Sequence, residues 1–232
     1  MSIAPFPTTR RSVIVALSSG DVTERARAFD TLLACYWKPL YKYARVAFRR
    51  TREDAEDLTQ SFFARAFEKE SLVAYDAAKA SFRTFLRLLF DRHAANEWKA
   101  GQRLKRGGGE VHLDFESAEL EIGRDAATTV TPEEYFQREW VRSVFALAVE
   151  RLRARCSETQ FAVFEAYDLD DDRSISYREL AQRLGITETK VTNDLAAARR
   201  RFREVVLDAL REVTATEEEF RAEARALLGA AK

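Results

Sequence analysis

Residues 177–203 read YRELAQRLGITETKVTNDLAAARRRFR, and the fold turns on how these are taken. Leu180, Ala181 and Leu184 recur at helical spacing and form the inner face of a short helix. Gly185 follows at the turn, where a left-handed backbone costs a glycine least. Ile186 is placed to plug the corner, and Thr187 to cap the next helix. Lys190 stands where a capping box requires Glu or Gln, so that box is absent. Val191, Leu195 and Ala198 form the inner face of a second helix. Small Ala181 permits close approach. This is the spacing of a helix-turn-helix.

Its outward positions are Thr187, Glu188, Thr189, Lys190, Thr192 and Asn193. On a second helix entering a major groove by its N-terminus, these meet base edges. Asn suits an adenine edge, and Glu accepts from a cytosine amino group. Arg199, Arg200, Arg201 and Arg203 follow and suit phosphates. The plain alternative is two packed helices with a solvated basic face.

Just upstream, residues 168–179 compete for another reading. Asp168, Asp170, Asp172, Ser174, Ser176 and Glu179 fall at positions 1, 3, 5, 7, 9 and 12 of a calcium-binding EF-hand loop. Arg173 stands where that loop needs glycine for its sharp turn. The following helix is also already claimed by the helix-turn-helix. The competing account makes Ser176 the cap of that helix, with Glu179 completing a capping box. No metal site is expected.

Further upstream the composition changes. Residues 110–139 hold nine carboxylates against two arginines and read as an acidic linker. Lys105-Arg106-Gly107-Gly108-Gly109 reads as a flexible basic hinge. A helix restarts after Thr131-Pro132, with Thr as N-cap, Pro at the first helical position and Glu133 and Glu134 in the first turn. Residues 23–100 form an earlier helical block. Phe29, Leu32, Leu33, Tyr36 and Leu40 stripe its first helix, and Pro39 predicts a kink or break there. Thr51 is a candidate N-cap for a helix striped by Leu58, Phe62, Phe63, Ala66 and Phe67. A helix over 82–99 carries Phe82, Phe85, Leu86, Leu89 and Phe90 on one face. A last amphipathic segment, 217–228, is expected to dock on the second block.

The whole composition agrees. The 232 residues are 46% hydrophobic and 33% charged, which excludes wholesale disorder. Eight Gly and four Pro are too few for an all-β fold rich in tight turns. The expected class is all-α, two small helical domains with a helical tail. Lys plus Arg and Asp plus Glu are both 38, so only the distribution of charge can point to a polyanionic partner. Cys35 and Cys156 are far apart among apolar neighbours and read as buried reduced thiols. Residues 1–9 show no secretory pattern and no stretch approaches a bilayer span, so a cytoplasmic protein without a membrane partner is expected. No P-loop, GxSxG or HExxH is present, and neither catalysis nor a cofactor is expected.

Three blocks together carry a resemblance: Asp54-Ala55-Glu56-Asp57-Leu58-Thr59-Gln60-Ser61-Phe62-Phe63, then Phe82-Arg83-Thr84-Phe85-Leu86, then the helix-turn-helix. The chain resembles bacterial RNA polymerase sigma factors of the extracytoplasmic-function group. The resemblance implies a region 2-like domain over 23–104 after an N-terminal extension (1–22). It implies a linker over 105–132, a region 4-like domain over 133–212 and a tail over 213–232. It implies promoter-specific transcription initiation with core RNA polymerase, through the clamp of the largest subunit and the flap region. Asp54, Glu56, Asp57 and Gln60 are the implied clamp contact, and carboxylates suit a basic surface.

The minus-ten element is implied to meet Arg83, Arg87, Arg92, Asn96, Trp98 and Lys99, with Trp98 the best candidate for an exposed stacking platform. The connector at Tyr75-Asp76 lies where this group pockets a flipped base. The minus-thirty-five element is implied to meet Thr187, Glu188, Thr189, Lys190, Thr192, Asn193, Arg199 and Arg200. The chain departs from the commoner pattern at Asp91-Arg92-His93, where many members carry Arg-Asn. Sigma linkers thread toward the polymerase active centre, and an acidic one there can imitate phosphates; a plain spacer is the alternative. An anti-sigma factor is common in the group. Two other readings stand beside this one: a dimeric helix-turn-helix regulator independent of polymerase, and a calcium-responsive helical protein.

Overall fold

The computed structural model describes residues 21–68, 71–101, 113–125, 130–170 and 175–229, together with Ala16. Among these there are nine α-helices and no strand. They are α1 (Val22–Ala47), α2 (Arg52–Glu68), α3 (Phe82–Gly101), α4 (Phe115–Asp125) and α5 (Pro132–Arg155), followed by α6 (Glu158–Phe164), α7 (Tyr177–Leu184), α8 (Glu188–Val213) and α9 (Glu217–Leu228). A 3-10 turn spans Ser71–Ala74 and a π-turn Glu165–Leu169. The basic glycine hinge and residues 171–174 lie outside the described residues. The chain forms two compact units, residues 1–143 with 210–232, and residues 144–209.

The first unit is built on α1. Asp21 caps it by accepting from the Thr23 and Glu24 amides. The helix runs unbroken through Pro39, so of the kink or break expected there the break does not occur. A proline inside a helix costs ~3 kcal/mol. Its neighbours Cys35, Tyr36, Leu40 and Tyr41 are completely buried, and their burial offsets that cost. Thr51 caps α2 through the Asp54 amide at 3.1 Å, as expected. Around α1 the aromatic rings meet edge to face: Phe62 with Phe90 at 5.1 Å, Tyr43 with Phe136 at 5.8 Å and Tyr36 with Phe82 at 6.0 Å. Such pairs add ~0.5–1.5 kcal/mol each beyond burial.

Part of the acidic segment read as a linker is the helix α4, docked on α1. Phe115 and Ala118 are buried, with Phe115 against Tyr41 (4.8 Å) and Trp37 (5.6 Å). Its carboxylates face the basic side of α1. Glu119 accepts from Arg45 at 2.6 Å and from the Tyr41 hydroxyl. Glu121 accepts from Lys38 at 3.2 Å and from Lys42. Lys42, with no exposed surface, also pairs with buried Glu139 of α5.

The tail helix α9 packs within this first unit, not on the second block as expected. Phe220 is buried with the Arg211 guanidinium over its ring at 4.4 Å.

The second unit holds the later part of α5, then α6, α7 and most of α8. Val144, Ala148, Leu152, Phe161, Phe164, Leu180, Val191 and Leu195 make its core. Arg201 ties α8 to the end of α5 by donating to the Arg155 carbonyl (3.2 Å) and to Gln160 (2.9 Å). Cys156 is only half-buried, beside that guanidinium, whereas Cys35 is fully buried as expected.

Candidate nucleic-acid interface

The local geometry of residues 176–198 follows from residue types. Ser176 accepts from the Glu179 amide while Glu179 accepts from the Ser176 amide, a complete capping box at the start of α7. Those bonds hold the Glu179 carboxyl below the usual range. Gly185 ends α7 in the left-handed region, at φ 65° and ψ 32°. Thr187 starts α8 by accepting from the Lys190 amide at 3.2 Å. Val191, Leu195 and Ala198 are at most 1% exposed, which turns the opposite face of α8 outward.

On that outward face Thr187, Glu188, Thr189, Lys190, Thr192, Asn193, Arg199 and Arg200 are all exposed. Several have partners within the chain. Lys190 pairs with nearly buried Asp194 at 2.7 Å. The Thr192 hydroxyl donates back to the Glu188 carbonyl at 3.0 Å. Arg199 forms a two-pronged pair with Asp168 at 2.7 and 2.8 Å, and the carboxylate raises its pKa. Asp168 and Glu179, the first and last candidate calcium ligands, are thus engaged by other groups; the loop between them includes residues outside those described. No cluster of metal-ligating side chains occurs among the described residues.

The acidic motif lies at the start of α2. Asp54 and Asp57 are exposed, Gln60 is half-buried, and Glu56 pairs with Arg52 one turn earlier at 2.8 Å. Asp54 lies in the first turn, where a carboxylate favours the positive end of the helix dipole; Asp57 lies a turn further along, and both are open to a basic partner.

The residues drawn from the resemblance on α3 fall into two groups. Arg92, Asn96 and Trp98 are exposed, Trp98 by 62%. The side chain of Lys99 lies outside those described. Arg83 and Arg87 are instead largely buried and engaged. Arg87 donates to Asp91 (3.0 Å), the Tyr43 hydroxyl (3.1 Å) and Glu133 (3.4 Å). Burial pushes the Asp91 carboxyl above its usual value, against the pull of Arg87. Arg83 donates to Glu223 of α9 at 2.7 Å and lies over the Trp140 ring at 4.5 Å. Glu219, also on α9, accepts from the Phe82 amide at 2.8 Å and from the Tyr75 hydroxyl at 3.5 Å. Burial first, and Glu219 second, push the Tyr75 hydroxyl up to about 12.

Sequence reasoning missed these carboxylate partners. The signal was the pair Glu219 and Glu223, one helical turn apart beside apolar Phe220.

No helix among the described residues is long and apolar enough to cross a membrane. No family model, no curated protein and no solved structure matches this chain.

Proposed function

We propose that the chain is a sigma-type factor that binds core RNA polymerase and directs promoter-specific initiation of transcription. The carrying observation is the outward face of α8: exposed Glu188, Thr189 and Asn193 behind a left-handed Gly185, on a helix anchored by Val191, Leu195 and Ala198. A helix held by its inner face and open along its N-terminal outer face fits a major groove. In this reading Asn193 and Glu188 read base edges of a minus-thirty-five element, while Arg200 and Arg203 meet phosphate. Asp54 and Asp57 meet the polymerase clamp. Arg92, Asn96 and Trp98 of α3 meet the minus-ten element as the strands separate. The chain makes polymerase selective and catalyses nothing itself.

Sigma-free core polymerase incubated with the full chain on a library of genomic fragments tests this. Discrete new start sites are the expected result; their absence overturns the reading. Asp57→Lys reverses one exposed charge and is expected to abolish co-purification with core polymerase while leaving duplex binding intact. Duplex binding by a dimer that never retains polymerase would favour the regulator reading instead.

A further inference from the structure

We propose that α9 is an autoinhibitory strap whose two carboxylates occupy the nucleic-acid face at the start of α3. The proposal rests on the reading of α3 as that face. Its ground is geometric. Glu219 sits at the N-terminus of α3, accepting from the Phe82 amide at 2.8 Å. The positive end of a helix with an open amide is where a phosphate binds best. Glu223 takes the Arg83 guanidinium at 2.7 Å. A carboxylate on an amide and another on an arginine imitate two backbone phosphates.

The attachment is of a kind that nucleic acid can exchange. Arg83 and Glu223 side chains are 17% and 11% exposed, so their pairing is shielded from water. Replacing carboxylate by phosphate preserves each charge-assisted bond, and no buried charge is left bare. The apolar hold of α9 is small: among its residues only Phe220 and Glu223 are buried. A helix of 12 residues is marginal by itself in water, so it persists only while docked. A strap closed about nine-tenths of the time weakens apparent binding roughly ten-fold.

The test uses the full chain and a fluorescein-labelled pool of random-sequence single-stranded DNA, read by anisotropy. The double variant E219Q/E223Q removes both charges and keeps one oxygen acceptor on each side chain. It is expected to bind the pool roughly ten-fold tighter than the unaltered chain. Adding R83A to that background is expected to remove most of the gain. Hydrogen exchange provides a readout independent of any variant's folding: saturating the unaltered chain with the pool is expected to speed exchange over residues 217–228. Equal affinity of the unaltered chain and E219Q/E223Q, or unchanged exchange in α9 at saturation, overturns the strap. Binding that survives in all variants but is insensitive to R83A also overturns it. Absence of single-strand binding in every protein overturns the reading of α3 itself, a distinguishable failure.

Discussion

Lys42 shows what a single side chain can require. Its ammonium is wholly buried between Glu121 and Glu139, and Glu139 is itself only 2% exposed. Burial by itself pushes the Glu121 carboxyl up; Lys42 and Lys38 outweigh it and hold the group below the usual carboxylate range. Removing Lys42 leaves buried Glu139 with only the half-exposed Arg142 against it, at 2.7 Å, and breaking such a buried pair costs roughly 3–5 kcal/mol. Lys42→Ala is therefore expected to lower stability by about that amount in urea melts, and Lys42→Met with Glu139→Leu to recover much of it. His93 makes a different demand. Burial lowers its pKa to about 4, and its Nε2 lies 2.9 Å from the Ser61 hydroxyl. Above the unperturbed value of ~6.5 the ring is neutral whether folded or unfolded, so stability is unaffected. Between pH 6.5 and about 4 only the unfolded chain takes up the proton, so stability falls with pH across that window, by about 3 kcal/mol in all. His93→Gln should remove this component, seen as the loss of one proton taken up on unfolding at pH 5.

The elements divide by how local their causes are. The α7–α8 turn was legible because its bonds lie within three residues of their sources: Ser176 with Glu179, Thr187 with the Lys190 amide, and Gly185 at its own φ of 65°. A Cβ added at Gly185 meets nothing within 4 Å, so Gly185→Ala should cost ~1–2 kcal/mol from backbone conformation alone, and Gly185→Asn less. Thermal melts of the two variants check the order. What sequence left hidden depends on distant partners. The period of Phe115, Ala118 and Ile122 was available, but nothing local shows that Glu119 and Glu121 meet Arg45 and Lys42, some 75 residues earlier in the chain. Pro39 illustrates the reverse: a strong local rule for a break yields to burial on both sides. In the same way the exposure of Trp98 was foreseen, while the engagement of Arg83 and Arg87 was not.

Over the whole molecule the formal charge is zero, so affinity for a polyanion must come from where cations are exposed. The arginine run of α8 is not uniform in this respect. Arg199 is committed to Asp168 and Arg201 to the end of α5, whereas Arg200 and Arg203 lie exposed on the helix. Withdrawing one arginine from a phosphate reduces the slope of log affinity against log salt by ~1. Arg200→Ala and Arg203→Ala are expected to do so for a labelled duplex pool. Arg199→Ala is expected to lower the melting temperature more than it changes the slope.

Trp140 is 1% exposed and lies beneath the Arg83 guanidinium, itself held by Glu223. The chain thus carries an optical gauge of its own. Any event that lifts that arginine wets an indole otherwise kept dry, and the emission of Trp140 should then move toward longer wavelength without a dye being attached.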